Sequence, residues 1–182
     1  FTSDNGPWRN LPPRMVDSEP VEPWHAGTTG ALSGAKATSL EGGSRVPAIV
    51  SWPGKIPPNQ VTAGLATTMD LHATILDITD TPLPEKPLDG TSLWEFWTQQ
   101  TSSPRTYFHY FTGRRLDGVR DGEWKLRIAP PADGWTSPEL ATGDGAAETT
   151  LYNLKNDPYE QFNLADQYPE EVERLRKKME DF

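Results

Sequence analysis

Two short stretches hold the residue types best suited to chemistry. Asp4-Asn5-Gly6 sets a carboxylate beside an amide carbonyl, ahead of a glycine that permits a tight turn. Both side chains are hard oxygen donors, suited to calcium or magnesium and not to zinc. The same tripeptide also suits a plain Asx turn. Lys36 sits among small residues in Ser33-Gly34-Ala35-Lys36-Ala37-Thr38. Small neighbours let backbone approach a ligand closely, and an ammonium is a compact charge for an oxyanion. A solvated surface lysine fits the same stretch.

Other candidates carry less. Glu41 and Arg45 stand four apart around Gly42-Gly43, and we expect a structural ion pair holding that turn. The three histidines, His25, His72 and His109, lack metal-ligand spacing. His72 falls on an expected helix and His109 in an aromatic strand, as packing or edge residues, while His25 lies in a long loop where it could face a substrate. The chain has no cysteine. Disulfides, thiolate metal sites and a cysteine nucleophile are therefore excluded within these residues. No serine stands in a Gly-x-Ser-x-Gly elbow, and the scattered histidines give no persuasive Ser-His-Asp order.

The elements that must position these residues follow from period and punctuation. Residues 7–35 carry five prolines and no sustained period, and read as a long loop of the kind that lines sites. Val46 to Trp52 is short and mostly apolar, as in a buried strand. A helix is expected at about 68–79, capped by Thr68 or Asp70, with Leu71, Ile75 and Ile78 on one face. A second begins at Ser92 with Glu95 completing a capping box, and Leu93, Phe96 and Trp97 form its stripe.

Beyond residue 103 the character changes. Tyr107 to Phe111 reads as a strand, and Asp121-Gly122 as a two-residue hairpin loop between Val119-Arg120 and Glu123 to Ile128. Residues 130–149 form a loop rich in Pro, Gly, Ala and Thr, followed by a short strand at 151–154 and a turn at 156–158. The last helix opens at Pro169, with Glu170 and Glu171 where its dipole favours anions. Val172, Leu175, Met179 and Phe182 make its apolar stripe, and Glu170–Arg174 and Glu173–Lys177 are expected i, i+4 pairs. The organisation is α/β over residues 1–103, then a small antiparallel sheet with one packed helix over 104–182.

Composition narrows the function classes. Seventeen basic against 26 acidic residues give a net charge of −9, which argues against a nucleic-acid partner. No apolar run reaches the ~20 residues that span a bilayer. Seven Trp and five Tyr point to a folded chain, and 18 Pro with 15 Gly to long structured loops. The chain opens without a start Met or an apolar signal core, in what reads as the end of a strand, so we expect it to be part of something longer.

An ordered set of blocks then resembles a known family. Phe1-Thr2-Ser3-Asp4-Asn5-Gly6, Gly34-Ala35-Lys36 with Glu41-Gly42-Gly43-Ser44-Arg45-Val46-Pro47, and Trp52-Pro53-Gly54-Lys55-Ile56 are similar to the carboxyl-terminal part of the type I, formylglycine-dependent arylsulfatases. The likeness continues through Met69-Asp70-Leu71 with Thr74-Ile75-Leu76, Leu88-Asp89-Gly90, Val119 to Leu126, and Leu151-Tyr152-Asn153-Leu154 with Asp157-Pro158. It implies the carboxyl-terminal part of an alkaline-phosphatase-like α/β fold plus a small α+β subdomain.

The resemblance implies sulfuric ester hydrolysis through a formylglycine hydrate held by one calcium ion. Asp4 and Asn5 would be two calcium ligands and Lys36 would contact the substrate sulfate. Ala35 departs from the usual Gly-Gly-Lys pattern. Phosphatase-like relatives commonly carry His after the aspartate, so Asn5 favours a single hard cation over zinc or manganese. Export to the periplasm or exterior is implied by the family alone.

The formylglycine precursor motif, Cys/Ser-x-Pro-x-Arg, is absent, since Ser102-Ser103-Pro104-Arg105 lacks the residue between Pro and Arg. Two further calcium-ligand aspartates, placed by the family near its amino terminus, are also missing. We therefore expect a fragment whose partner is the missing amino-terminal part, and whose 182 residues alone hydrolyse no sulfate ester and hold calcium poorly. Two other readings stay open: a non-catalytic remnant or split subunit that binds another chain, and a phosphate or phosphonate ester hydrolase on the same fold.

Overall fold

The alternation Trp124-Lys125-Leu126-Arg127-Ile128 organises the larger part of the molecule, because a strand sends successive side chains to opposite faces. The computed structural model describes residues 1–8, 23–130 and 147–180. Four strands lie in the order β1 (Tyr107–Thr112), β2 (Arg115–Asp121), β3 (Trp124–Ala129) and β4 (Glu148–Asn153). β3 is antiparallel to β2 and β4, and Leu126 pairs with Val119 on one side and Leu151 on the other. That row is fully buried under Leu175 of the last helix. Trp124, Ile128, Leu164, Ala165, Val172 and Met179 pack around the cluster. Burying each such side chain contributes about 1.5–3 kcal/mol.

Residues 2–47 and 108–182 form one compact unit, and residues 48–107 with Phe1 form another. The sequence-based division at 103/104 follows composition, whereas these units follow packing. Residues 2–47 join the sheet's unit because their four-residue helix α1 (Glu41–Ser44) sends its carboxylate under the sheet.

The second unit contains α2 (Asp70–Ile78) and α3 (Trp94–Gln99). Asp70 is its hub. Oδ1 accepts from the Thr91 amide at 2.9 Å and from Arg105 Nη2 at 2.5 Å, and Oδ2 from the Thr67 amide at 2.8 Å. Burial alone would raise this carboxyl, but Arg105 and the amides of Thr91 and Thr67 hold it below its ordinary value. Thr74 Oγ1 accepts from the Leu93 amide at 2.9 Å and ties α2 to α3. Ser103 Oγ donates to the Leu65 carbonyl, so Ser103 and Arg105 have structural partners.

Several expectations change. No strand forms over Val46 to Trp52. Phe1 exchanges two backbone hydrogen bonds with Ile49, and Ile49, Val50 and Trp52 are exposed, since no further strand among the described residues neighbours them. On α2 the buried side is Asp70, Ala73 and Thr74, while Leu71 and Ile75 face outward, Ile75 at 57% exposure. The polar hub, not the apolar stripe, turns inward. No side chain caps α2, because Asp70 lies inside its first turn.

The capping box does not form either. α3 starts one residue late, and Ser92 Oγ donates to Asp77 Oδ2 at 2.5 Å. Its stripe does hold, with Leu93 and Phe96 buried. The hairpin loop is Gly122-Glu123, with Asp121 opposite Trp124. Only Gly122 has positive φ there, +61°, as a type II′ turn needs at its first central position. β4 begins at Glu148, three residues earlier than expected.

The last helix, α4 (Pro169–Glu180), packs on the sheet as anticipated, against β2 and β3. Arg174 pairs with Glu171 and with Asp121 of β2, not with Glu170, because Asp121 draws it toward the sheet. Glu173 and Lys177 approach to 3.8 Å. Within the expected 7–35 loop, Pro23–Ala26 form a 3-10 turn and residues 9–22 lie outside the described residues, as do 131–146 of the 130–149 loop and Phe182. Among the described residues no helix is long and apolar enough to cross a membrane.

Candidate functional site

Gly6 explains how two distant pieces of sequence become one site. Its amide donates to the Gly43 carbonyl at 3.0 Å, and a β-carbon at Gly6 would come within 1.8 Å of the Gly42 oxygen. Only glycine allows this approach. The next residue, Pro7, accepts from the Lys36 amide at 3.0 Å, and the Gly42 amide donates to Ser33 O at 2.7 Å. The Asp4–Trp8 segment, the Lys36 loop and α1 are thus laced together through backbone.

The result is a cavity of about 600 Å³ lined by Asp4, Asn5, Trp8, Lys36 and Arg45, with walls from residues 26–29 and 46–47. The three residues singled out from sequence line one cavity. Ser3 Oγ donates to the Asn5 carbonyl at 3.0 Å and steadies the turn. Lys36 Nζ lies 4.6 Å from the centre of the Trp8 ring, a cation–π contact that holds the ammonium against the wall. Gly34 and Ala37, with φ of +78° and +72°, bend the chain on both sides of Lys36.

Arg45 corrects an expectation. It caps α1, its amide donating to the Glu41 carbonyl at 2.7 Å while its own backbone is already extended, φ −83° and ψ 122°, and the two side chains part. Its side chain lines the cavity. Glu41 instead enters the sheet, where Oε1 accepts from Lys125 Nζ at 2.9 Å and Tyr110 Oη at 2.8 Å. Burial alone would raise the Glu41 carboxyl, but Lys125 and Tyr110 bring it below its ordinary value. His25 is exposed and is not among the lining residues, although its neighbour Ala26 is. His72 is exposed on α2, and His109 Nε2 lies 3.1 Å from the Lys178 carbonyl oxygen.

The donor set fits a hard cation in type and falls short in number. Asp4 and Asn5 offer oxygens, whereas calcium takes six to eight. Among the described residues no cluster of three His, Cys, Asp or Glu side chains could hold a metal ion. Trp8 and Arg45 are the lining residues that sequence reasoning missed as functional. Trp8 stands two residues past Gly6 in a stretch with no period, and Arg45 looked satisfied by Glu41.

A family model described as N-sulphoglucosamine sulphohydrolase, C-terminal, matches residues 35–136. Arylsulfatase A of Bos taurus is 32% identical over 186 residues, covering 93% of this chain and 34% of that protein. The N-acetylgalactosamine-6-O-sulfatase of Bacteroides thetaiotaomicron is 31% identical over 191 residues, covering 99% and 35%. A solved structure described with the metabolism of multiple glycosaminoglycans by Bacteroides thetaiotaomicron has a TM-score of 0.77 at 30% identity, covering all of this chain and 37% of that one. A sulfatase from Pseudoalteromonas sp. shares the fold, with a TM-score of 0.72 at 23% identity over all of this chain and 35% of its own.

The chain belongs to the sulfatase family and corresponds to its carboxyl-terminal portion. Its fold is that portion of the alkaline-phosphatase-like architecture with the small sheet-and-helix subdomain. It spans about a third of the length of the curated relatives it matches.

Proposed function

We propose that the complete protein is a sulfuric ester hydrolase and that this chain carries the cation-and-sulfate end of its active site. The observation that carries the reading is the single cavity lined by Asp4, Asn5 and Lys36. Asp4 and Asn5 would hold one calcium ion with ligands from the rest of the protein, and the Lys36 ammonium would lie against a sulfate oxygen. Calcium, when bound, supplies Lewis-acid stabilisation of charge on the sulfate oxygens. Lys36 adds a fixed positive charge to the same oxygens, and preorganised charge of this kind usually lowers the barrier to such transfers more than any other single effect.

Trp8 does two things in this arrangement. Its ring face holds the Lys36 ammonium in place, and its apolar area offers a platform for the leaving group. The cavity volume suits a small ester or one sugar residue. The arylsulfatase and amino-sugar sulfatase names among the relatives fit both classes of leaving group. Arg45 would meet further negative charge on the substrate. The nucleophile comes from outside this chain, since no Cys/Ser-x-Pro-x-Arg motif is present.

The test is hydrolysis of matched sulfate and phosphate monoesters by the product of the complete reading frame, with and without a calcium chelator. Faster, chelator-sensitive turnover of the sulfate ester is expected. Preference for the phosphate ester would favour the phosphatase reading, and no turnover of either would favour a non-catalytic module. The 182 residues alone are expected to be inactive and to bind calcium weakly in a calorimetric titration.

A further inference from the structure

Lys125 is fully buried on β3, on the face of the sheet away from α4. Its Nζ lies 2.9 Å from Glu41 Oε1, 2.8 Å from Glu160 Oε1 and 4.0 Å from the centre of the Tyr110 ring. An apolar side chain of similar volume commonly serves stability as well as a buried ion pair or better. The ammonium is thus better explained by what it holds in place than by what it adds to stability.

Glu160 points the same way. Its backbone is left-handed, φ +55°, a conformation that glycine or asparagine adopts more easily. The carboxylate is nonetheless there: Oε2 accepts the Glu41 amide at 2.6 Å, one of the donors left open at the start of α1. Next to it, the Tyr159 carbonyl accepts from Ser33 Oγ at 2.7 Å. One short segment therefore grips both α1 and the start of the Lys36 loop.

We propose that Lys125, through Glu41 and Glu160, is a positioning residue for the cavity. The chain of contacts is continuous. Lys125 and Glu160 fix Glu41, Glu41 opens α1, and α1 presents the Gly43 carbonyl to Gly6 and the Gly42 amide to Ser33. Asn5 is one residue from Gly6, and Lys36 donates to Pro7. The links at Gly6 and Gly42 are backbone to backbone with no room for a β-carbon, so α1 has no flexible side chain there to absorb a shift. The effect on catalysis rests on the sulfatase reading; the effect on the cavity backbone does not.

The test uses Lys125→Met in the complete protein, beside Leu151→Ala, which loosens the same sheet from its α4 face. Hydrogen exchange under native conditions is expected to quicken in residues 1–8 and 33–44 of the Lys125 variant and to stay unchanged there in the Leu151 variant. Calcium affinity and kcat are expected to fall about tenfold with little change in KM, in the range found when groups supporting metal ligands are removed. Should the Met variant not fold, Lys125→Arg is expected to do the same to a smaller degree.

Unchanged exchange in these segments, or equal quickening in both variants, overturns the proposal. Exchange as expected with no turnover or calcium binding in the unaltered protein sinks the sulfatase reading and leaves the positioning intact. Turnover in the unaltered protein that Lys125→Met does not alter sinks the positioning role and leaves the sulfatase reading intact.

Discussion

Lys36 is held by two different means, and they can be separated by substitution. Its amide is fixed to Pro7 and its ammonium rests on the Trp8 ring. Lys36→Ala removes the charge, and kcat for a sulfate ester should drop about 10²–10³-fold, the scale of losing one transition-state stabilising group. Trp8→Ala leaves the charge and removes its support. A smaller fall in kcat is expected, with a rise in KM if the ring also packs on the leaving group. Steady-state kinetics of the two variants in the complete protein check both. Gly6→Ala drives a β-carbon into the Gly42 carbonyl. It should lower the thermal midpoint by an amount equivalent to about 1–3 kcal/mol, the usual cost of overpacking.

The residue-scale chemistry was legible because it is local. Asp4 beside Asn5 states its donor type without any tertiary information, and so does a lysine among small residues. What Glu41, Arg45 and Trp8 do was not legible, because Glu41 and Trp8 meet partners far away in sequence and Arg45 joins a cavity built from distant segments. Glu41 meets Lys125, 84 residues on. Nothing in the spacing of Glu41 and Arg45 reveals that the Glu41 carboxylate turns to Lys125 and Tyr110 while Arg45 lines the cavity.

At the scale of elements, the same limit explains which expectations from period held. α4 has one strongly apolar stripe and a sheet to lay it on, and it lies there. α2 also has an apolar stripe, yet its Asp70 is fully buried and Ile75 is not. A carboxylate that accepts bonds from Arg105, Thr91 and Thr67 at once fixes the helix's rotation, against the pull of two aliphatic side chains. The alternation on β3 would by itself send Lys125 and Arg127 to water; instead Glu41 and Ser39 cover them.

Two predictions belong here. Leu126→Ala opens a void in the Val119–Leu126–Leu151 row and should cost about 2–5 kcal/mol in denaturant unfolding. The second concerns Asp70, whose carboxyl is held below its ordinary value in the folded state. The unfolded state then binds its proton first as pH falls, so Asp70's contribution is complete above the ordinary aspartate range near pH 4 and is lost as pH drops through the folded value. Asp70→Asn should therefore be less stable than the unaltered protein at neutral pH, with the gap closing in acid. Thermal midpoints across pH 3–7 read this directly, and a gap that stays constant would contradict it.

For the whole molecule, composition set outer limits and left the architecture open. The acidic balance argues against a nucleic-acid partner, and the aromatic content signals a folded chain. Neither said that residues 2–47 pack with residues 108–182. That arrangement rests on the ion cluster beneath the sheet, which joins Glu41, Arg120, Lys125 and Glu160 from distant parts of the sequence. The ordered blocks from Phe1 to Pro158 did indicate the family, and several of them mark a backbone approach or a buried hub that the fold needs: Gly6 against α1, Asp70 with Arg105, and the β2–β3 turn.

Sulfate ester hydrolysis by the complete protein requires Asp4 and Asn5 to take a hard cation beside Lys36. The most direct measurement is a crystal structure of the complete protein grown with calcium and a sulfate ester. A calcium ion is expected about 2.3–2.6 Å from oxygens of Asp4 and Asn5, with a sulfate oxygen in hydrogen-bond reach of Lys36 Nζ. A calcium ion bound elsewhere, or a sulfate group seated away from Lys36 with the cavity empty, would contradict it.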